Sequence, residues 1–244
     1  MSNLRFYSPD KLLVGATAQL SDNAAAHATR VLRLRLGDDL TLFDGSGVDF
    51  LCTINDLQKN AVFVTVKSST PIQNESPLNI TLLLGISAGD RMDIAMQKAV
   101  ELGVNKIIPI KTERSVVKLD DAKAKKRVEH WQNVVIAACE QSGRAVLPLV
   151  ELPITLSQFC AQPVPSKTLR ITLDPLAKNR LADIAKPDGE IQLLVGAEGG
   201  LSPKEIVMSV SEGFAGVQLG KRILRTETAP LAAITAMNTL WGDF

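Results

Sequence analysis

The rhythm of apolar and polar positions changes once along this chain. Up to about residue 70, short runs rich in β-branched and aromatic residues at 40–44 (LTLFD), 48–55 and 61–67 (AVFVTVK) read as strands, with Gly45-Ser46-Gly47 as a tight connection. Residues 68–77 (SSTPIQNESP) are polar, carry two prolines and show no periodicity, which marks a linker. Beyond it strands and helices alternate: Ile80 to Gly85, a helical period from Arg91 to Leu102, Lys106 to Ile110, and a long helix from about Asp121 to Gln141. Further strands follow at Leu169 to Leu173, Ile191 to Val195 and Ala215 to Leu219, and a last helix at Thr228 to Trp241. Such alternation predicts a parallel sheet with crossover helices. The expected organisation is a β domain at 1–70, a linker at 71–77 and an α/β domain at 78–244.

Two strand-to-helix turns concentrate the chemistry. Gly196-Ala197-Glu198-Gly199-Gly200-Leu201 follows the apolar run Ile191 to Val195 and leads into a helix start, with Ser202 as cap, Pro203 at the first helical position and Glu205 completing a capping box. The segment 220–230 (GKRILRTETAP) gathers three cations and two threonines behind a second short strand. In open α/β sheets, ligands bind in the crevice beyond the carboxyl ends of the strands, so the two turns form one candidate site. Each glycine alone also reads as a simple turn former.

Composition narrows the field. A chain of 244 residues with 45% hydrophobic content can bury a sizeable core. Its 27 basic and 26 acidic residues nearly cancel, so any polyanion site must come from local clustering. Cys52, Cys139 and Cys160 are scattered, and His27 and His130 are the only histidines, so neither a metal site nor a disulfide framework is expected. With no signal-like start and no long apolar run, a cytoplasmic protein without a membrane span is expected. G-x-G-x-x-G and Walker A patterns are absent, which disfavours Rossmann-type and P-loop chemistry, and the presence of only two histidines disfavours a histidine-assisted hydrolase.

In GAEGGLSPKE at 196–205 and LGKRILRTETAP at 219–230, the chain resembles the bacterial 16S ribosomal RNA uridine-N3 methyltransferases of the SPOUT superfamily. QKAVELGV at 97–104, EQSGRAVLP at 140–148 and HATRVLRLRLGDDL at 27–40 carry the likeness over essentially the whole chain. One position departs: Ala197 stands where proline is frequent in the family. The resemblance implies a trefoil-knotted parallel-sheet domain behind an N-terminal PUA-like small β-barrel, a homodimer, S-adenosyl-L-methionine as cofactor, and 3-methyluridine in the 16S ribosomal RNA of an assembled small subunit as product. Two rival readings remain: a related SPOUT enzyme acting on another RNA atom, and an RNA- or ribosome-binding assembly factor with a vestigial pocket.

On that resemblance Gly196, Glu198, Gly200, Leu219, Gly220, Ile223, Leu224 and Thr228 are the expected cofactor contacts. Methylation at N3 requires loss of an imide proton and stabilisation of charge developing on the ring. Arg225 is the candidate cation for that work, because arginine stays protonated and offers several donors, with a salt bridge as the plain alternative. Glu198 is the candidate proton acceptor, and organising its loop is the competing role. Thr226 and Thr228 read either as ligand contacts or as helix N-caps. RNA contacts are expected from Arg5, Arg30, Arg33, Arg35, Arg144, Lys221 and Arg222. Residues 111–127, with seven basic residues against three acidic, read equally as an RNA face or a solvated helix face.

Overall fold

The computed structural model describes residues 4–59, 61–117 and 120–244. They fall into two compact units: Met1–Glu75 with Ile136–Leu147, and Ser76–Val135 with Pro148–Phe244.

The first unit contains β1 (Arg5–Tyr7), β2 (Thr17–Gln19), α1 (Asp22–Ala26), β3 (Asp39–Phe43), β4 (Val48–Leu57) and β5 (Val62–Pro71). Its sheet order is β1-β3-β4-β5-β2, antiparallel except for the β1–β3 pair. Period-two alternation sends Phe50, Cys52 and Ile54 of β4 and Val62, Val64 and Val66 of β5 into one core, where Phe6, Leu42, Ala24, Ala25 and Ala28 join them. Two register shifts in the β4–β5 ladder, at Leu51/Cys52 and Ile54/Asp56, bend the sheet.

β5 runs four residues past the strand that the apolar pattern marks, pairing Ser68 to Pro71 with Leu51 to Val48. These residues are exposed, so the ladder is held by backbone bonds that leave no mark in the side-chain pattern. α1 continues into a single π-helical turn, His27–Val31, and Arg33 then adopts φ 56°.

The second unit begins with β6 (Ile80–Gly85), α2 (Asp90–Glu101) and β7 (Lys106–Lys111). The long helix α3 (Asp121–Ser142) follows, its last turns belonging to the first unit. Then come β8 (Leu149–Val150), β9 (Ile154–Thr155), α4 (Leu156–Cys160), β10 (Leu169–Leu173), β11 (Ile191–Val195), α5 (Pro203–Ser211), β12 (Ala215–Val217) and α6 (Thr228–Trp241). The sheet is parallel throughout, in the order β12-β10-β11-β6-β7-β8, with β9 also paired to β7.

All six residues of β6 and all five of β11 are buried, as central parallel strands covered on both faces require. Leu83, Ile108, Ile110 and Leu194 face Leu156 and Phe159 of α4, with Leu201 and Phe214. Leu82 and Leu84 therefore point to the opposite face. α6 packs against both α2 and β11, and its fully buried Asn238 donates to the Leu102 carbonyl (2.8 Å) while accepting from Ser76 (2.8 Å). β10, β11 and β12 thereby place their carboxyl ends, and the two glycine-bearing turns, side by side.

Candidate active site

The turn after β11 closes on itself because residue 196 has no side chain. A Cβ there would lie 2.7 Å from the Gly200 carbonyl carbon and 2.8 Å from the Leu201 nitrogen, distances that backbone atoms do not tolerate. Gly200 meets a different demand: a Cβ would have open space, but φ is +67°, the left-handed region that side chains resist. The loop then delivers the capping box read from the sequence, in which Ser202 Oγ accepts from Glu205 N–H (3.2 Å) and Glu205 Oε2 from Ser202 N–H (2.8 Å). Glu205 also accepts from Glu113 N–H (2.9 Å), tying the loop after β7 to this helix start.

The second turn leaves β12 and enters α6. The carbonyl of Arg225 accepts from both Thr228 N–H and Ala229 N–H (2.9 Å each), which fixes the backbone of Arg225 at the helix start. Glu227 takes the N-cap position without a side-chain bond, so neither threonine caps this helix. Thr226 turns inward instead. It is buried, donates from Oγ1 to the Gly196 carbonyl (2.9 Å) and lies 3.3 Å from the buried Ser87 hydroxyl.

Between the two turns lies a cavity of about 500 Å³, of the size and mainly apolar character usual for small-molecule sites. Gly196, Glu198, Gly200, Leu219, Gly220, Ile223, Leu224 and Arg225 all line it. Arg222 does as well, whereas Lys221 and Thr228 are exposed and lie outside its wall.

Five charged side chains border the cavity, and they differ in what they already hold. Arg114 donates from Nη1 to the carbonyls of Gly199 (2.9 Å) and Leu201 (3.2 Å), clamping the glycine loop. Glu198 accepts from Ala88 N–H (2.8 Å) and from Arg91 (3.2 Å), which latches the same loop to the start of α2 and the residues before it. Burial raises the pKa of Glu198, but these bonds outweigh it and hold the carboxyl below the usual range. Asp174 accepts Leu176 N–H on one oxygen (2.9 Å). Arg222 and Arg225 make no ion pair or side-chain hydrogen bond among the described residues.

The remaining arginines separate cleanly. Arg30, Arg33 and Arg35 are exposed on the first unit. Arg5 and Arg144, expected as RNA contacts, are 3% exposed and committed to protein partners. Arg5 pairs with Asp49 (2.7 Å), donates to the carbonyls of Cys139 (2.7 Å) and Arg144 (2.9 Å), and stacks on Phe43. Arg144 holds both carboxylate oxygens of Glu75 from Nε (3.1 Å each). Within 111–127, Lys118 lies outside the described residues, and Lys123 is paired with Asp120 (2.9 Å).

Sequence reasoning missed Arg114 and Asp174 because each comes to the cavity from the far end of another strand. It named Thr226 without finding its partners, since no local pattern links residues 87, 196 and 226. Among the described residues no cluster of metal-ligating side chains occurs, and no helix is long and apolar enough to cross a membrane.

Comparison with known proteins bears on the same residues. An RNA methyltransferase domain matches residues 74–238 and an RNA methyltransferase PUA domain matches residues 20–67. A ribosomal RNA small subunit methyltransferase E from Buchnera aphidicola (Schizaphis graminum) is 33% identical over 98% of this chain and 97% of its own length. The crystal structure of a ribosomal RNA small subunit methyltransferase E from Neisseria gonorrhoeae, bound to S-adenosyl methionine, superposes with a TM-score of 0.91 at 46% identity, covering 98% of both chains. A Legionella pneumophila protein solved in complex with SAM gives a TM-score of 0.95 at 38% identity over the whole of both chains. The mixed α/β fold with an N-terminal PUA-like domain, the glycine-loop cavity and these full-length likenesses agree: the chain belongs to the ribosomal RNA small subunit methyltransferase E family.

Proposed function

We propose that this protein methylates N3 of a uridine in 16S ribosomal RNA with S-adenosylmethionine. The observation that carries the reading is the convergence of two glycine-bearing turns on one cavity that Arg225 borders with its guanidinium uncommitted. The residues fit the cofactor: Leu219 and Leu224 offer apolar surface, and open space lies where a side chain of Gly200 would stand. No phosphate cradle is needed, since the cofactor has no phosphate. When bound, it supplies an electrophilic methyl group on a sulfonium.

The chain's own residues do the rest. Arg225 holds a positive charge where the uridine carbonyls gain negative charge as N3 loses its proton to solvent, and a cation already in place needs no reorganisation to stabilise that charge. Because helix-start bonds fix its backbone, the guanidinium is presented from a rigid point, which favours alignment of N3 with the methyl group. Glu198, held ionised by Ala88 and Arg91, suits a loop latch better than a proton acceptor.

The same reading assigns RNA affinity to residues 1–70 through Arg30, Arg33 and Arg35, with Lys221 and Arg222 at the second turn, and the cofactor pocket to 78–244. It includes a trefoil-knotted chain, a homodimer, an assembled small subunit as substrate and a cytoplasmic location. Mass analysis of ribosomal RNA nucleosides from a strain lacking the protein tests it. Loss of 3-methyluridine supports it, loss of another modified base moves the target atom, and no loss favours an assembly factor.

A further inference from the structure

The buried hydroxyls of Ser87 and Thr226 occupy the junction of three loops. Thr226 Oγ1 donates its single proton to the Gly196 carbonyl (2.9 Å), so toward Ser87 (3.3 Å) it can only accept. Ser87 Oγ also lies 3.3 Å from the Gly85 carbonyl at the end of β6. The pair thus links the segment after β6, the glycine loop after β11 and the turn before α6. Thr226 is 9% exposed and Ser87 5%, so solvent offers little replacement for these bonds.

One residue before Thr226 stands Arg225, exposed and without a side-chain partner among the described residues. Its carbonyl is pinned forward by the start of α6, and the next side chain is pinned to Gly196. We propose that Thr226, with Ser87 behind it, is a positioning residue that sets where the Arg225 guanidinium stands relative to the glycine loop. This rests on the reading of Arg225 as the cation that serves the methyl transfer. Thr226 touches no reacting atom in this scheme; it acts through the backbone of its neighbour.

The test is a double-mutant cycle on the full chain, read as single-turnover methylation of ribosomal RNA with cofactor saturating. Thr226→Val keeps the shape and removes the hydroxyl, and Thr226→Ser keeps the hydroxyl. The expected result is a ten- to hundredfold slower transfer in Thr226→Val, most of the rate restored in Thr226→Ser, and no further loss when Thr226→Val is added to Arg225→Ala. A loss of equal size in both backgrounds overturns the proposal, because Thr226 would then serve the loop independently of Arg225. An unchanged rate in Thr226→Val also overturns it. Should Thr226→Val unfold, Ser87→Ala removes the second hydroxyl alone, and its loss must vanish in the Arg225→Ala background in the same way. If Arg225→Ala itself keeps the wild-type rate, the assignment of Arg225 has failed, a result separate from additivity between the two positions.

Discussion

Arg5 and Arg144 in the first unit and Arg225 at the cavity are equally prominent in motif-like sequence, yet the structure gives them opposite states. The first two are buried and paired with Asp49 and Glu75, and Arg5 is also bonded to two carbonyls and stacked on Phe43. Arg225 stands at the cavity with no protein partner for its guanidinium among the described residues. A buried arginine with its donors occupied serves the fold, because pulling it out leaves carboxylates and carbonyls unpaired. An exposed one whose donors are open is available to a ligand. Motif resemblance alone does not separate these cases, since both kinds of role preserve the same residue type.

The sharpest way to break the contrast is Arg225→Ala. Single-turnover methylation should fall by about a hundredfold or more, the scale seen when one charge-stabilising donor is removed, while cofactor affinity changes little. Arg225→Lys should recover only part of the rate, because the planar fork is lost. Wild-type rates in both variants would place Arg225 among the structural arginines.

Arg5→Ala should do the reverse. We expect a loss of about 2–3 kcal/mol in urea unfolding, as for a buried pair whose carboxylate keeps some solvent, with unchanged RNA affinity at temperatures where the variant is folded. Deleting residues 1–70 outright is a poorer experiment, because it strips Arg5 from the carbonyls of Cys139 and Arg144 at the end of α3.

Replacing Arg30, Arg33 and Arg35 together by alanine should weaken RNA binding at every sequence and lower the slope of log K against log salt by about 2, the value for three contacts to single-stranded phosphate. Stability should barely move, since all three are exposed. An unchanged slope would move the RNA surface elsewhere on the protein.

The smallest effect is expected at Glu198. Glu198→Gln retains an oxygen for the Ala88 N–H, so activity should drop by less than about tenfold if the group is a latch; a proton acceptor would show a far larger loss. The pH dependence follows the lowered pKa of Glu198. The native state favours the ionised carboxylate, so its contribution is complete above the usual carboxylate range of about 4.3 and is lost as pH falls through the lower folded value. Thermal unfolding of wild type and Glu198→Gln should therefore differ most near neutral pH and converge in acid.

The sequence made much of this protein legible. The apolar runs of β6, β10 and β11 and the long period of α3 marked the elements of the parallel sheet, because buried strands and long helices write their environment into side-chain type. The capping box at Ser202 and Glu205 was readable for the same reason, being a local code contained in four consecutive residues. Residues 68–71 were not, since an exposed strand is held by backbone bonds that any side chain permits. The π-helical turn at His27–Val31 has no periodic signature of its own.

Legible in the sequence itself were the two glycine-bearing turns, their place after parallel strands, and the cations of the second turn, Arg225 among them. Only the tertiary structure decided which charges are free. Arg114 reaches the glycine loop from the end of β7, Asp174 comes from the end of β10, Arg5 and Arg144 turn inward to carboxylates, and Thr226 meets Ser87 across 139 residues of chain. Each of these depends on the order of strands in the sheet, and that order arises from how whole elements cover one another, so no window of neighbouring residues contains it.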